Sequence, residues 1–193
     1  MIEINPLIET DLGIFVAADA RIVIDDNALF RHPKYEAEKA SMLSLQETLA
    51  FKNNVTYVKL DGDIGVVGNG AGLVMATVDL LNFFGGTPAD FLDIGGGASV
   101  EVIKAALKMV LDDPDVKSVL VNVLGGITRC DEVARGIIEA VKDAKEKKSL
   151  VVRLVGTNEK EGQKILTAVG INVLGSMEEA AKQAVKFAEG EKQ

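Results

Sequence analysis

The chain has 193 residues, of which 48% are hydrophobic and 26% are charged, a composition typical of a globular protein with a sizeable core. Its formal net charge of −8 argues against nucleic acid or an anionic membrane as the main partner. Cys130 and His32 are the only residues of their types, which excludes an internal disulfide and makes a zinc site or a serine–histidine catalytic site hard to build. A single cysteine fits a cytoplasmic protein, or one of the mitochondrial matrix.

Residues 1–54 predict a small unit of two or three strands and one helix. The strand-like runs are residues 2–5, 14–18 and 21–24, and the helix is predicted over residues 35–51. A polar turn at residues 10–13 predicts that the first two runs form a β-hairpin. Because so few elements bury little surface alone, this segment looks like the end of something larger.

From residue 55 onward, strands and helices alternate with short connections, which predicts an α/β domain built from βαβ units around a parallel sheet. The predicted strands are residues 57–60, 64–67, 91–94, 118–123, 150–155 and 171–174. The predicted helices are residues 73–84, 100–111, 132–146, 159–169 and 178–189. Asn158, with Glu161 three residues later, is predicted to cap the fourth of these helices.

Three of the strands end in glycine-rich turns, at residues 68–72, 95–97 and 125–127. In a parallel sheet such turns meet at the carboxyl ends of the strands, where ligands bind at a topological switch point. Glycine lets a phosphate or carboxylate come close to the backbone N–H groups. The turns therefore predict an anion-binding site, although their spacing matches neither the dinucleotide fingerprint nor a P-loop.

Two of these turns carry candidate ligand contacts. Asn69 favours a carboxylate ligand because its amide both donates and accepts, but close packing of the turn explains its glycines equally well. In the third turn, Gly126, Ile127 and Thr128 open a helix whose free N–H groups and dipole favour an incoming phosphoryl or carboxylate group. The turn at residues 95–97 has no assigned contact and is explained by packing.

Three further residues invite a chemical role and also have a plain structural explanation. Arg129 either adds positive charge to the third turn or pairs with Asp131. Cys130 is expected to be a small buried residue rather than a nucleophile, because no histidine base lies nearby in sequence. His32 lies in a loop, Phe-Arg-His-Pro, and is expected at the surface.

A possible metal site lies near the start of the chain. Glu3 and Asn5 are two residues apart on a strand, so their side chains point to one face, and Asp19 on the partner strand would complete an oxygen-rich cluster. Carboxylate and amide oxygens, with water and phosphate in the remaining positions, are how proteins usually hold Mg²⁺. The alternative is a polar strand face with solvated acids.

Together these segments resemble the β subunit of succinyl-CoA synthetase, the nucleoside-diphosphate-forming succinate–CoA ligase. Five ordered segments carry the resemblance, which covers nearly the whole chain: EINPL at 3–7, DNALFR at 26–31, NGAGL at 69–73, FLDIGGGA at 91–98 and VNVLGGITRCD at 121–131. It implies that residues 1–54 are the tail of an ATP-grasp region. Residues 55–193 would be a flavodoxin-like CoA-ligase domain, a doubly wound parallel sheet with helices on both faces.

The family makes succinyl-CoA reversibly from succinate, CoA and ATP or GTP, through a succinyl phosphate and a phosphorylated histidine. The resemblance implies Mg²⁺ with the nucleotide, and a partner α subunit that supplies the histidine and binds most of the CoA, in an αβ pair or a dimer of pairs. Since most of the nucleotide-binding region has no counterpart here, the chain alone is expected to be inactive.

The resemblance also implies roles for single residues. Asn5 and Asp19 correspond to the family's magnesium ligands, and Glu3 to the glutamate that engages the phosphohistidine. Asn69 corresponds to an asparagine that contacts succinate. The substrate-binding turn at the helix that faces the phosphohistidine is formed by Gly126, Ile127 and Thr128.

Two alternatives to succinate ligation stay open on the sequence. A related ligase with the same architecture would use another acid, as malate–CoA ligase, citrate-cleaving relatives and ADP-forming acyl-CoA synthetases do. A non-catalytic flavodoxin-like domain that senses acyl-CoA would use the glycine turns only for packing.

Overall fold

A computed structural model of the protein describes residues 1–190, apart from the side chains of Asp26, Asn27 and Ala40. Its contacts divide the chain into two compact units, Met1–Ser44 and Leu45–Gln193. The sequence predicts a boundary near residue 55 between an ATP-grasp tail and a CoA-ligase domain, and this boundary stays a prediction. Among residues 1–190, no helix combines the length and the hydrophobicity that a membrane span requires.

The first unit consists of short antiparallel strands followed by helices. Its elements are β1 (Ile2–Ile4), β2 (Leu7–Glu9), β3 (Phe15–Ala17), β4 (Ala20–Ile22), a 3₁₀ helix (Asp26–Arg31) and α1 (Pro33–Met42). β2 pairs with β3, and β1 pairs with β4. The predicted pairing of residues 2–5 with 14–18 is therefore wrong, because the turn at residues 10–13 places β3 beside β2 and leaves β1 to pair with β4.

Both ladders of this unit share one register. Ile4 pairs with Ala20, and Leu7 pairs with Ala17, so Asn5 continues the register opposite Asp19. The side chains on these strands are exposed on both faces, including apolar ones.

The single helix predicted over residues 35–51 is two helices, α1 and α2 (Leu45–Lys52). Leu43 ends α1 in an extended conformation, with φ −78° and ψ 141°. Ser44 and Glu47 have the spacing of a capping box, which favours a new helix start at Leu45.

The second unit contains a six-stranded sheet. Its strands are β5 (Thr56–Lys59), β6 (Ile64–Gly68), β7 (Asp90–Asp93), β8 (Ser118–Gly125), β9 (Ser149–Gly156) and β10 (Val173–Leu174). The order across the sheet is β10-β9-β8-β6-β7-β5, and the strands from β6 onward are parallel. This is the flavodoxin-like order, which confirms the predicted fold class.

β5 is the exception, since it runs antiparallel to β7 at the edge of the sheet. The four residues 60–63 that join β5 to β6 are too few for a parallel crossover, which needs a dozen or more. The chain therefore turns back at one end of the sheet and enters β6 from the same end at which β5 leaves.

Helices cover both faces of the sheet. They are α3 (Ala71–Phe83), α4 (Val100–Leu111), α5 (Cys130–Asp143), α6 (Glu159–Thr167) and α7 (Met177–Ala188). Successive residues of β8 face opposite layers: Leu120 packs in a core with α3 and α7, whereas Val119 and Val121 pack in a larger core with α4, α5 and α6. The strand order reverses between β6 and β8, whose carboxyl ends are therefore the topological switch point.

The ends of β8 and β9 approach each other so closely that a side chain cannot fit. Gly156 has a φ of +114°, and a Cβ atom added to it would lie 2.1 Å from the carbonyl oxygen of Gly125. At Gly126, by contrast, an added Cβ would meet no atom within 4 Å. Only the first of these two glycines is required by the backbone.

We predict that Gly156→Ala lowers the free energy of unfolding by at least about 2 kcal/mol, because it combines a left-handed φ with a clash against the backbone. Gly126→Ala is the matched control and should change stability by less than about 0.5 kcal/mol. Urea denaturation followed by circular dichroism measures both. Equal stability of the two variants would contradict the close approach.

One carboxyl group is buried in the core of the second unit. Asp90, 1% exposed at the start of β7, accepts a hydrogen bond from the Val66 N–H to Oδ1 at 3.0 Å. Its Oδ2 has no hydrogen-bond partner among residues 1–190. Lys59 lies opposite in the ladder, but its Nζ pairs with Asp113 at 2.6 Å and Asp115 at 3.1 Å. Burial therefore dominates and raises the pKa of Asp90 to about 7.

This raised pKa gives stability a defined dependence on pH. Between about pH 4 and 7 the folded chain holds a proton on Asp90 that the unfolded chain has released, so the contribution of Asp90 to stability falls as pH rises and levels off above pH 7. Asp90→Asn, which is neutral at every pH, should gain stability relative to wild type across that range by a few kcal/mol, at about 1.4 kcal/mol per pKa unit.

Urea denaturation at several pH values from 4.5 to 8 tests this dependence. Asp61→Asn, at an exposed acid, is the control and should differ from wild type by the same small amount at every pH. A pH-independent difference for Asp90→Asn would show that the Asp90 carboxyl is ionised in the folded chain throughout.

Candidate functional site

The turns after β6 and β8 are joined at the switch point by the side chain of Asn69. Its Nδ2 donates to the carbonyl oxygen of Leu124, and its Oδ1 accepts from the N–H of Leu124, both at 2.9 Å. This pair of bonds resembles the hydrogen bonds between two paired strands, and it holds the end of β8 against the first turn. The Asn69 amide therefore has one N–H left for the dicarboxylate contact that the sequence predicts.

Asp93 joins the first turn to the second. Its Oδ1 accepts hydrogen bonds from the N–H groups of Gly70 at 2.6 Å and Gly95 at 2.7 Å. The sequence predicts no role for Asp93 and explains the turn at residues 95–97 by packing. In the structure, the N–H groups of Gly95 and Gly97 donate to the Asp93 and Thr128 side chains, so the turn is part of a network of hydrogen bonds.

Thr128 joins the second turn to the third. Its hydroxyl accepts a hydrogen bond from the Gly97 N–H at 2.9 Å, and the residue is only 1% exposed. Ile127, next to it, is 85% exposed. A ligand at this turn would therefore meet the backbone and the Ile127 side chain rather than the Thr128 hydroxyl.

The third turn has a run of free donors. The N–H groups of Gly126, Ile127 and Thr128 donate to no other group among residues 1–190. The first N–H of α5 is already used, because Cys130 donates to the Thr157 carbonyl oxygen at 2.9 Å. The N–H groups available to an anion are thus those of the turn before α5, and not the first N–H of the helix itself.

Thr157, after β9, supports the third turn from the other side. Its N–H donates to the Gly125 carbonyl oxygen and its hydroxyl donates to that of Gly126, both at 2.9 Å. With Asn69 and Thr128, it fixes the path of residues 124–128 at three points. The three free N–H groups are held in place before any ligand arrives, which lowers the entropic cost of binding.

A buried acid occupies the first turn of α5. Asp131 is 3% exposed and accepts hydrogen bonds from Asn158 at 2.9 Å and from Arg129 at 3.3 Å. Arg135 adds an ion pair at 3.3 Å. The hydrogen bonds from Asn158 and Arg129 lower the pKa of Asp131 to about 2. Arg129 thus pairs with Asp131, one of the two roles that the sequence allowed.

Two local predictions concern Asn158 and Cys130. Asn158 lies at the N-cap position of α6, as predicted, but its backbone is left-handed, with φ 59°, and its side chain makes no capping bond. Its amide is used by Asp131 instead. Cys130 is fully buried, as predicted, and burial raises the pKa of its thiol, which makes it a poor nucleophile.

The first unit carries Asn5 and Asp19, which are predicted to bind the metal, and Glu3, which is predicted to contact the partner's phosphohistidine. Asn5 donates to Glu3 at 3.3 Å, so the two side chains lie on one side of the strand as predicted. Asp19 continues the register opposite Asn5, and its Oδ1 accepts from the Ala20 N–H at 2.8 Å. All three residues are exposed, as is His32.

The donor set in the first unit fits Mg²⁺. Within residues 1–190, no three His, Cys, Asp or Glu side chains are grouped to hold a metal ion. One carboxylate and one amide oxygen nevertheless suit Mg²⁺, which usually keeps several waters and phosphate oxygens as its other ligands. The assignment of Asn5 and Asp19 stays a prediction.

Asp93, Thr157 and Asn158 are the residues of the candidate site that the sequence analysis did not identify. Asp93 ends β7 just before the glycine turn, a position at which a carboxylate oxygen can reach two neighbouring backbone N–H groups. This position in the sequence is the feature that could identify Asp93. The sequence gives less indication of Thr157 and Asn158, since only the pairing of β8 with β9 brings them beside the third turn.

Several proteins of known name are similar to this chain in sequence. It is 53% identical over 188 residues to the succinate–CoA ligase (ADP-forming) subunit beta of Ignicoccus hospitalis and 52% identical over 191 residues to that of Herpetosiphon aurantiacus. The matches cover 97% and 96% of this chain and 50% of each relative. The chain thus spans about half the length of the curated relatives it matches.

Solved structures share the fold at lower identity. ATP citrate lyase from Methanothrix soehngenii, in complex with citrate and coenzyme A, matches with a TM-score of 0.70 at 18% identity, over 96% of this chain and 54% of that one. The dinucleotide-forming acetyl-coenzyme A synthetase 1 of Ca. Korarchaeum cryptofilum, in complex with phosphate and ADP, matches with a TM-score of 0.57 at 21% identity, over 86% and 41%.

A family model decides the classification. The model described as CoA-ligase matches residues 67–187, which contain the switch point, all three glycine turns and the helices on both faces of the sheet. With this match over more than half of its length, the chain belongs to the CoA-ligase family.

Proposed function

We propose that this chain is part of the β subunit of an ADP-forming succinate–CoA ligase, which couples the formation of succinyl-CoA from succinate and CoA to the cleavage of ATP. One observation of the structure carries the proposal: the N–H groups of Gly126, Ile127 and Thr128 are free, fixed by neighbouring side chains and placed at the switch point. The names of relatives that are about half identical in sequence support the choice of succinate and ADP.

The geometry suits phosphoryl transfer through an acyl phosphate. Such transfers need little covalent help from the protein but depend on positioning and on stabilisation of negative charge. The free N–H groups of residues 126–128 would receive the phosphoryl or carboxylate oxygens, and Ile127 would shield them from water. The remaining Asn69 N–H would hold the other carboxylate of succinate.

The histidine that carries the phosphoryl group would come from the α subunit. His32 is the only histidine of this chain, and it lies in the other compact unit, outside the matched residues 67–187. We infer an αβ pair, or a dimer of pairs, in which the α subunit also binds most of the CoA.

The first unit would serve the nucleotide end of the reaction. Asn5 and Asp19 would hold Mg²⁺, which neutralises charge on the nucleotide phosphates when bound. Glu3, hydrogen-bonded to Asn5, would accept a hydrogen bond from the partner's phosphohistidine at this end. Fixing Asn5 to Glu3 would orient the amide oxygen of Asn5 away from Glu3 and toward the metal.

We predict that inorganic phosphate binds the third turn in the 193-residue chain. Titration followed by ¹⁵N–¹H NMR should shift the amide signals of Gly126, Ile127 and Thr128 together. Ile127→Pro, which removes one donor, should weaken binding about fivefold, the effect of losing roughly 1 kcal/mol. Ile127→Ala is the matched control, because it keeps the N–H and shows separately what the loss of the exposed side chain does to phosphate affinity.

Two results would count against this anion site. One is an absence of shifts at these amides at saturating phosphate. The other is equal phosphate affinity of the Pro and Ala variants, both shown to be folded by circular dichroism.

We also predict that the chain alone makes no succinyl-CoA, and that the complete ligase containing it prefers succinate. The reason is that the 193 residues span half of the length of their relatives, and that the reacting histidine would come from the α subunit. Steady-state kcat/KM for succinate and for malate, measured with ATP and CoA, tests this. Turnover by the chain alone would refute the division of labour, and a preference for malate would reassign the acid.

A further inference from the structure

We propose that Asp93 is a positioning residue for the ligase reaction: its carboxylate holds the first and second turns in the arrangement that presents the free N–H groups of the third. The proposal rests on the proposed function for its reaction and on the hydrogen bonds of the switch point for its geometry. Asp93 itself is directed at the backbone and is assigned no contact with substrate.

Asp93 accepts two short hydrogen bonds through its carboxylate. A single oxygen, Oδ1, accepts from Gly70 at 2.6 Å and from Gly95 at 2.7 Å. Hydrogen bonds to an ionised acceptor are roughly twice as strong as neutral ones. Gly70 directly precedes α3 and has no side chain to cap that helix, so the Asp93 carboxylate also supplies negative charge where the α3 dipole favours it.

These two bonds close a ring of contacts around the site. Gly70 follows Asn69, whose amide holds the backbone of Leu124. Gly95 lies in the same turn as Gly97, whose N–H donates to Thr128. Both ends of the third turn are therefore held by turns that meet at Asp93.

The ring of contacts indicates what the loss of the Asp93 carboxylate would change. If its carboxylate is removed, the first and second turns lose their common anchor, while Asn69 and Thr128 keep their own bonds to the third turn. The free N–H groups of residues 126–128 would still exist. The first and second turns, which hold them, would no longer be fixed to each other, so the position of these N–H groups would vary. Small misplacements of groups that orient a reacting centre cost far more in rate than in stability.

Three variants separate this role from a general effect of charge. Asp93→Ala removes the acceptor, and Asp93→Asn keeps an acceptor oxygen of the same size without the charge. Asp79→Asn makes the same change of charge at an exposed position of α3 and is the matched control. If the Ala variant does not fold, the Asn variant carries the test.

The first measurement uses the 193-residue chain and inorganic phosphate. In Asp93→Ala, we expect amide exchange of Gly70 and Gly95 to accelerate at least about tenfold, with exchange in β8 unchanged. Phosphate affinity at residues 126–128 should fall about tenfold, and Asp93→Asn should lie between Ala and wild type. Asp79→Asn should match wild type in both respects.

The second measurement uses the complete ligase. We expect kcat with succinate to fall at least about tenfold in Asp93→Ala while the midpoint of thermal unfolding stays well above the assay temperature. If exchange at the glycines accelerates but phosphate affinity and kcat stay within twofold of wild type, Asp93 only stabilises the fold and the proposal is overturned. Absence of succinate turnover by the wild-type complex would count against the proposed function alone, because the exchange and phosphate measurements do not require turnover.

Discussion

The reversal of strand order between β6 and β8 is the constraint on which the site depends. Because the chain leaves these neighbouring strands toward helices on opposite faces, a gap opens between their carboxyl ends. Backbone polar groups in that gap must find partners or remain free. Side chains satisfy several of them here, and the N–H groups of residues 126–128, which have no partner among residues 1–190, are available to the proposed ligand.

The distribution of side-chain bonds explains why those donors stay free. Asn69, Asp93, Thr128 and Thr157 all bond to backbone groups in neighbouring turns, so each turn is held by a residue outside it. None of these bonds uses the N–H groups of residues 126–128. The rigidity of the turn and the availability of its donors therefore have the same origin.

The sequence was informative wherever a local rule decided the outcome. Alternation of strands and helices predicted the parallel sheet, and glycines after strands predicted where its turns meet. The hydrophobic pattern does not predict the pairing of β1 with β4, which follows from the register of the hairpin, or the direction of β5, which follows from its four-residue connection to β6. The Asn158 side chain does not cap α6 because it bonds to Asp131, which lies 27 residues away in sequence. Contacts that close only on folding, such as those of Asp93, leave no such local pattern.

The proposed anion site in this acidic chain needs positive potential that is not neutralised by the chain's own acids. Arg129 and Arg135, which follow the third turn in sequence, both pair with Asp131, and they leave little free charge for a ligand. Anion binding must then rest on neutral N–H groups and the partial charge of the helix end. Backbone N–H groups do not titrate, so they keep their protons when a phosphate binds and when it leaves. This would suit the proposed function, in which the turn receives a phosphoryl group from a partner and releases it again in a reversible reaction.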